Sequence, residues 1–267
     1  MSEFIPGDFW EKRLNENSGL EGVGYEKLGR PFNIWAYRIR KVAFLNLLQS
    51  QAVDPRGKCV LDIGSGTGFY LDIWKQLGAS SVFGADITEI SVQNLQKRFP
   101  DCTVVRLDIG EPLPDNHPWI GTFDLISCMD VLFHIVDDAR FQQAHKNIFR
   151  LLKPGGKFIY SDNFLKGETV RTRHQVCHTN EFLTKLFGEV GFVEKARKPF
   201  MYFSNFPIDS KSKLLRWHWF AFENALAILK PLGHIAGPVL FRVDSALIRK
   251  KADGPTTKIV LLEKPQR

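Results

Sequence analysis

The stretch KCVLDIGSGTGFYLDIWKQLG, residues 58–78, decides the fold. Its KCVLDIG part is a short apolar run that ends in a glycine-rich turn, which is typical of a buried β-strand. The remainder places Leu71, Trp74 and Leu77 at helical spacing before Gly78, which marks the end of a helix. A strand that passes through a glycine turn directly into a helix indicates the opening unit of a doubly wound α/β sheet.

Strand-like and helix-like segments continue to alternate to about residue 200. The predicted strands span 58–64, 80–88, 102–109, 123–131, 156–163, 193–202 and 257–264, and the predicted helices between them span 68–78, 90–99, 139–153 and 180–192. This alternation predicts βαβ units in a mostly parallel sheet with helices on both faces. Ligands of such sheets lie beyond the carboxyl ends of the strands, so the residues that follow each strand are the candidates for chemistry.

The first strand is followed by a G-x-G-x-G turn that contains Gly64, Ser65 and Gly66. This spacing departs from the G-x-G-x-x-G fingerprint of dinucleotide-binding proteins. Glycines let the backbone approach a ligand closely because they carry no Cβ atom. Asp62, just before the turn, is placed to accept a hydrogen bond from a cationic amine. The alternative interpretation is that the glycines only form a tight turn.

Acidic residues follow the second and third strands. Asp86 ends the second strand, where a carboxylate is able to accept both hydroxyls of a ribose. Asp108 and Ile109 end the third strand, and this pair suits an adenine, with the carboxylate on the exocyclic amine and the aliphatic group on the ring. The alternative is that these acids only cap helices. The sequence contains no G-x-x-x-x-G-K-[ST] motif, which excludes a P-loop nucleotidase on motif grounds.

These motifs together resemble the class I S-adenosylmethionine-dependent methyltransferases. The matching segments are LDIGSGTG (61–68), GADIT (84–88), RLDI (106–109), ISCMDVLFHI (126–135) and LLKPGGKFIYSD (151–162). The resemblance covers about residues 55 to 200. It implies a doubly wound, Rossmann-like sheet of seven strands whose last strand, supplied by 257–264, is antiparallel and inserted between strands five and six.

The resemblance also implies the cofactor S-adenosyl-L-methionine, with S-adenosyl-L-homocysteine as product, and a set of contacts to it. By resemblance the contacts are Gly64, Gly66 and Met129 at the methionine end, Ser65 through its backbone, Asp62 in the same loop, Asp86 on the ribose, Ile87 on the adenine face, and Asp108 and Ile109 at the adenine edge. Tyr25, in a glycine-rich loop, either touches the cofactor, caps the substrate or is a surface residue.

The chain divides into a core and two flanking segments. Residues 1–52 are predicted to form an N-terminal helical lid, residues 53–202 plus 257–267 the cofactor-binding core, and residues 203–256 a helical insertion over the substrate. The predicted insertion helix at 213–230 is apolar nearly all round and therefore needs cover on more than one side. A buried lid over a hydrophobic acceptor pocket is the favoured explanation, a homodimer contact ranks next and a membrane surface ranks last.

Composition and charge limit the possible classes of function further. The 267 residues carry a net charge of +7, and residues 195–251 alone hold eleven Lys or Arg against three acidic residues. Such a segment either contacts an anionic partner or forms a solvated face. No apolar run reaches the roughly 18 residues that a membrane span requires. Scattered cysteines and an N-terminus without a secretory pattern predict a cytoplasmic protein.

Four residues are candidates for acid–base catalysis, because a hydroxyl acceptor needs a base near its proton. Asp130 and His134 follow the fourth strand at the ligand end of the sheet, and His174 and His178 follow the fifth. The last two would share a helix face, as a metal pair does, but no third ligand follows at a convincing spacing, so no metal site is predicted. Each histidine is alternatively a packed structural residue.

The sequence therefore predicts a methyltransferase that O-methylates a hydroxyl on a small natural product, sugar or quinone-like acceptor. Aromatic residues of the insertion support an enclosed substrate cover: Trp217, Trp219, Phe220, Phe222 and Phe241. They stand at helix-core spacing and not as an exposed stacking row, which argues against nucleic acid as a partner. The alternatives are an RNA or protein methyltransferase that uses the basic insertion, and a cofactor-binding partner subunit without catalysis.

Overall fold

The computed structural model describes residues 4–266 and contains one main sheet and a small hairpin. The strands of the main sheet are β1 (Cys59–Ile63), β2 (Ser81–Asp86), β3 (Thr103–Arg106), β4 (Phe123–Cys128), β5 (Leu152–Asp162), β8 (Val193–Pro199) and β9 (Lys258–Glu263), while β6 (Val170–Arg171) and β7 (Val176–Cys177) form the hairpin. The helices are α1 (Pro6–Glu16), α2 (Leu20–Val23), α3 (Gly29–Ser50), α4 (Phe69–Gln76), α5 (Glu89–Arg98), α6 (Asp138–Leu151), α7 (Asn180–Val190), α8 (Lys213–Ile228) and α9 (Gly233–Lys250).

The order of the main sheet is β3-β2-β1-β4-β5-β9-β8. Strands β1 to β5 pair in parallel, and β9 lies antiparallel between β5 and β8. The predicted seven-stranded sheet, with its last strand inserted between strands five and six, is confirmed. The strand order reverses at β1, which pairs with β2 on one side and β4 on the other, and the ligand end of a doubly wound sheet lies at this point.

Helices cover both faces of the sheet, so the central strands β1 and β4 are buried along most of their length. On one face α4 buries Trp74 completely, and its indole Nε1 donates to Ser127 Oγ of β4 at 2.9 Å. On the other face α6 and α7 cover a second apolar cluster that includes Phe141 and Leu183. The apolar runs that predicted the strands are therefore the centre of two hydrophobic cores.

The N-terminal segment and the insertion pack on each other. Helix α3 approaches α9 so closely that a Cβ atom at Gly237 would lie 2.3 Å from Trp35 Cδ1. The sequence did not predict α9, which contains Pro238 within its span. The glycine of α9 that faces Trp35 explains why this helix forms despite its weak sequence signal, since it packs directly on α3.

Two expectations about loops and lids are wrong. His174 and His178 flank β7 and do not lie on a helix, because residues 170–177 form a hairpin. Helix α8 is not a buried lid, since only Trp219 and Leu226 are buried along it. Trp217 and Phe220 are exposed by 66% and 65%.

Candidate functional site

A cleft opens beyond the carboxyl ends of β1, β2 and β4, and we call it the main cleft. Eight of the ten residues predicted to hold the cofactor line it: Gly64, Ser65, Gly66, Asp86, Ile87, Asp108, Ile109 and Met129. The other two, Tyr25 and Asp62, do not. Helix α1 covers the cleft with Pro6, Trp10 and Leu14.

The glycine turn forms the floor of the main cleft. Gly64 and Gly66 have φ angles of +70° and +51°, in the left-handed region that favours glycine. The Gly64 and Ser65 amides donate to Ala85 O of β2 at 2.8 and 3.1 Å. A Cβ atom at Gly64 would lie 2.3 Å from Val131 Cγ2, so glycine is needed there for the loop after β4 to close on the turn.

Asp86 ties the glycine turn to the end of β2. Its Oδ2 accepts from the Gly66 amide at 2.8 Å, and its Oδ1 accepts from the Thr88 amide at 3.0 Å and the Thr88 hydroxyl at 2.7 Å. Burial raises the pKa of Asp86. A carboxylate has about four accepting positions, so Oδ2 retains one that suits a single hydroxyl of a bound ligand.

The loop after β3 is held by α6. Asp108 Oδ2 accepts from Arg140 Nη2 at 2.7 Å, and its Oδ1 accepts from the Gly110 amide at 2.9 Å. Asn147 Nδ2 donates to Ile109 O at 2.8 Å. These contacts fix the buried Ile109 side chain at the wall of the main cleft. Sequence reasoning missed Arg140 and Asn147, because nothing in their helix marks them as partners of this loop.

Asp62 is buried at the end of β1 and is not among the residues that line the main cleft. Ser127 Oγ donates to Asp62 Oδ1 at 2.5 Å, and the Ser65 hydroxyl donates to Asp62 O at 2.9 Å. Burial raises the pKa of Asp62 to about 7, against the opposing effect of these hydroxyls. Asp62 therefore supports the turn, and the predicted contact with a cationic amine has no support in this geometry.

The Glu11 carboxylate of α1 makes hydrogen bonds to the core at the start of α5. Glu11 Oε2 accepts from the Glu89 amide at 2.7 Å, and Glu11 Oε1 accepts from the Ile90 amide at 3.1 Å. Glu11 thus caps the N-terminus of α5, where backbone amides lack partners and favour negative charge. Sequence reasoning missed this contact, since the residues are 78 positions apart.

A second cavity, the adjoining cavity, opens beside the main cleft and has a volume of about 340 Å³. The two share Trp10, Val23, Asp130 and His134. Tyr25 lines the adjoining cavity and not the main cleft, which agrees with a role at the substrate and not at the cofactor. Burial raises the pKa of Tyr25.

His134 lies at the boundary between the two cavities. Its Nδ1 is 2.8 Å from His174 O, and a carbonyl only accepts, so Nδ1 carries the hydrogen. Nε2 therefore carries the lone pair. The Trp10 ring packs edge-on against the imidazole, with centroids 4.9 Å apart. Burial lowers the pKa of His134 to about 4, and the hydrogen bond to His174 offsets this only in part. The imidazole is consequently neutral at physiological pH.

Asp130 also lines both cavities, but both of its carboxylate oxygens accept hydrogen bonds from other side chains of this chain. Arg40 Nε donates to Asp130 Oδ2 at 2.7 Å, and Ser161 Oγ donates to Oδ1 at 2.9 Å. Its φ angle of +60° is unusual for a residue other than glycine. These contacts make Asp130 an anchor for the loop, and His134 is the better placed base.

The remaining two candidates differ in position. His174 lies at the wall of the adjoining cavity, stacks on Phe9 with centroids 5.7 Å apart, and orients His134 through its carbonyl. His178 is buried, lines neither cavity, and has Nε2 3.0 Å from Asp138 Oδ1. The structure therefore does not bring His178 to the site. Across residues 4–266 no group of His, Cys, Asp and Glu is arranged as a metal site.

Comparison with known proteins identifies the domain that builds this site. Residues 61–160 match a family described as "Methyltransferase domain". Over 173 residues the chain is 35% identical to a tRNA U34 carboxymethyltransferase of Pseudoalteromonas atlantica, which covers 59% of this chain and 51% of that protein. Over 124 residues it is 34% identical to a ubiquinone biosynthesis O-methyltransferase of Pseudomonas paraeruginosa, with 44% and 51% covered.

A solved structure extends the likeness to the whole fold. Magnesium protoporphyrin IX methyltransferase of Synechocystis, determined with bound S-adenosylmethionine, aligns with a TM-score of 0.57 over 99% of each chain at 14% identity. This likeness shows the fold alone. The chain spans about half the length of the two curated relatives. Their names indicate different acceptors, so the comparisons support S-adenosylmethionine as the cofactor of the shared domain and leave the acceptor open.

Proposed function

This chain carries a class I S-adenosylmethionine-dependent methyltransferase domain, and we propose that it O-methylates a small molecule bound in the adjoining cavity. The observation that carries the proposal is the position of His134. It lines both cavities and holds a neutral imidazole whose unprotonated Nε2 accepts no hydrogen bond from residues 4–266. A base at the junction of a cofactor cleft and a second cavity is what a hydroxyl acceptor requires.

The residues of the main cleft fit the cofactor. One accepting position on Asp86 Oδ2 suits a ribose hydroxyl, and Asp108 has accepting capacity left for an exocyclic amine. Ile87 and Ile109 offer apolar walls for a purine ring. The cofactor, when bound, would supply a methyl group from its sulfonium, and S-adenosylhomocysteine would be the leaving group.

The chain's own residues would then position the acceptor and take its proton. The acceptor oxygen forms the new bond to carbon while its proton passes to His134 Nε2, and the His174 carbonyl stabilises the resulting imidazolium through Nδ1. Trp10 of α1 lines the junction of the two cavities and packs against the His134 ring. Alignment of the two reactants in adjacent cavities accounts for much of the remaining acceleration.

Nucleic acid methylation is the second candidate, and the relative that acts on tRNA favours it. The acceptor would then reach the site across the basic residues of the insertion. The volume of the adjoining cavity, about 340 Å³, suits a small molecule better, since small-molecule sites are typically about 300–1,000 Å³. A cofactor-binding subunit without turnover is the third candidate.

Methyl transfer from labelled S-adenosylmethionine tests the proposal against hydroxylated small molecules, with RNA and protein acceptors run in parallel. We expect His134→Gln to bind S-adenosylhomocysteine normally and to lower kcat by about 10²–10⁴, the usual contribution of a positioned base. His234→Gln is the matched control, because His234 is exposed and lines neither cavity. Full turnover by His134→Gln, or methyl transfer to RNA alone, would refute the proposed O-methylation of a small molecule.

A further inference from the structure

Helices α8 and α9 form an outward-facing unit, which we call the basic hairpin and define as residues 211–251. Across the described part of the chain no single helix is long and apolar enough to cross a membrane. The segments Lys213–Ile228 and Lys230–Lys250 satisfy that test only as a pair, and they are bent by 119° at their junction. By length and composition alone, the two helices together thus resemble a membrane segment that is broken at this bend.

The apolar side chains of the basic hairpin face solvent to an unusual extent. Leu214, Trp217 and Phe220 of α8 are 73%, 66% and 65% exposed, and Ile228 at its end is 80% exposed. Ile235 of α9 is 69% exposed. The spacing of Leu214, Trp217 and Phe220 places them along one side of the helix. Contiguous apolar surface of this kind marks an interaction site.

The exposed charge of the basic hairpin has a single sign. Its eight Lys and Arg residues are all exposed, and none forms an ion pair within residues 4–266. Its two acids are withdrawn from the surface. Asp244 is fully buried and accepts from the amides of Tyr202 and Phe203, and Glu223 is half-buried at the wall of the adjoining cavity.

We propose that the basic hairpin docks on the surface of an anionic lipid bilayer, with Trp217 and Phe220 inserted at headgroup depth. Exposed aromatic and aliphatic side chains flanked by unpaired cations are the signature of a helix that lies in the membrane interface. Anionic lipid attracts such cations, and hydrocarbon accepts the aliphatic side chains.

Two other occupants fit less well. A second copy of the chain docked on this surface would place its eight exposed Lys and Arg side chains against the same eight of the first copy. Like charges at an interface oppose association. A nucleic acid would neutralise the cations but would offer no hydrocarbon to Leu214, Ile228 and Ile235. Lipid satisfies both features at once.

Helix α8, which carries the docking surface, also borders the adjoining cavity. The buried Trp219 of α8 lies 5.9 Å from the Tyr25 ring, and Glu223 lines the cavity one turn further on. On the basis of the proposed function, this arrangement predicts an acceptor that reaches the cavity from the membrane surface. Membrane docking by itself does not depend on the reaction.

Co-sedimentation with lipid vesicles tests the inference. The probes are vesicles of phosphatidylcholine alone and of equal parts phosphatidylcholine and phosphatidylglycerol. We expect the wild type to bind the anionic vesicles, more weakly as salt rises, and to bind neutral ones at least about tenfold less tightly. The double variants Trp217→Ala/Phe220→Ala and Lys213→Glu/Arg216→Glu should each lose at least about tenfold in affinity.

Matched double variants at other exposed sites control for general effects. Val170→Ala/Val193→Ala removes apolar side chains that are 43% and 48% exposed, and Lys58→Glu/Lys146→Glu reverses two exposed cations outside the hairpin. Both should bind vesicles as the wild type does. Equal binding to both vesicle types, no binding, or hairpin variants that bind normally would overturn the inference. The inference would also be overturned if the wild type were a dimer that Trp217→Ala/Phe220→Ala converts to a monomer, or if the wild type bound RNA more tightly than vesicles.

Titration with S-adenosylhomocysteine separates this inference from the proposed function. Every hairpin variant should keep the wild-type affinity for it, because the hairpin does not line the main cleft. Normal titration with no vesicle binding refutes membrane docking alone. Vesicle binding by a wild type that shows no affinity for S-adenosylhomocysteine refutes the proposed function alone.

Discussion

Arg40 Nε donates to Asp130 Oδ2 at 2.7 Å and so joins α3 to the loop after β4, across 90 positions of sequence. The two side chains are only 7% and 23% exposed. Asp130 holds a left-handed backbone conformation there, with Ser161 on its other carboxylate oxygen. The pair therefore fixes the N-terminal segment to the loop that carries Met129 and His134.

Replacing Arg40 with methionine should destabilise the protein by roughly 3 kcal/mol. The cost arises because Asp130 would remain largely buried without its cation, and losing one partner of a buried pair costs about 3–5 kcal/mol. Urea unfolding measures the change. Arg56→Met is the control, since its pair with Asp54 is exposed and such pairs contribute about 0–1 kcal/mol. Equal losses in the two variants would contradict the structural role given to Arg40.

Gly64→Ala and Gly57→Ala form a matched pair that isolates close packing at the glycine turn. Both glycines have a φ angle of +70°, but a Cβ at Gly57 meets nothing within 4 Å, while one at Gly64 would collide with Val131. We expect Gly57→Ala to cost about 1–2 kcal/mol from backbone strain alone. Gly64→Ala should cost more and weaken S-adenosylhomocysteine binding, as thermal unfolding and calorimetry would reveal. A Gly64→Ala protein that behaves like Gly57→Ala would show that the turn does not need this contact.

Glu11→Ala should loosen the α1 lid. The variant removes both hydrogen bonds from Glu11 to the start of α5, and lost N-terminal caps typically cost about 1 kcal/mol. S-adenosylhomocysteine should then bind about fivefold more weakly, mainly through faster dissociation. Glu16→Ala, an exposed change on the same helix, should leave affinity unchanged. Unaltered dissociation from Glu11→Ala would mean that α1 does not gate the main cleft.

The pH profile of turnover should distinguish His134 from an ordinary histidine. Because the pKa of His134 is lowered to about 4, the imidazole stays unprotonated, and able to accept a proton, at every pH well above that value. With a hydroxyl acceptor, kcat/KM should therefore be nearly constant between about pH 5.5 and 8 and decline only toward pH 4. A tenfold loss between pH 7 and 5.5 would point to a base with the ordinary histidine pKa near 6.5.

The sequence predicted the sheet, its seven strands and most of the main cleft, since these depend on local patterns. The alternation of apolar runs with helical periodicity predicts the strands and helices, and the family resemblance implies how the strands are ordered. Gly64, Asp86 and Ile109 stand where the chain leaves each strand. Asp62 carries the same sequence signal but does not line the cleft, since it is buried and Ser127 Oγ donates to its carboxylate.

The other features of the site depend on contacts between residues far apart in sequence, which no local pattern predicts. Glu11 and Arg40 act on residues 78 and 90 positions away, and their own neighbours in sequence give no sign of it. The sequence makes His178 a candidate base, as it does His134, but His178 is buried and its Nε2 contacts Asp138 next to the hairpin of β6 and β7. The apolar periodicity of α8 predicted burial, whereas the packing of α3 on α9 leaves one side of α8 without a partner.

Calorimetric titration of the wild type and Asp86→Ala with S-adenosylhomocysteine tests the central claim, that the main cleft holds the cofactor. We expect micromolar binding by the wild type and at least about a tenfold loss in Asp86→Ala, because one carboxylate both shapes the glycine turn and accepts a ribose hydroxyl. Circular dichroism would verify that the variant is folded. A folded wild type that does not bind, or an Asp86→Ala protein that binds as tightly as the wild type, would contradict the claim.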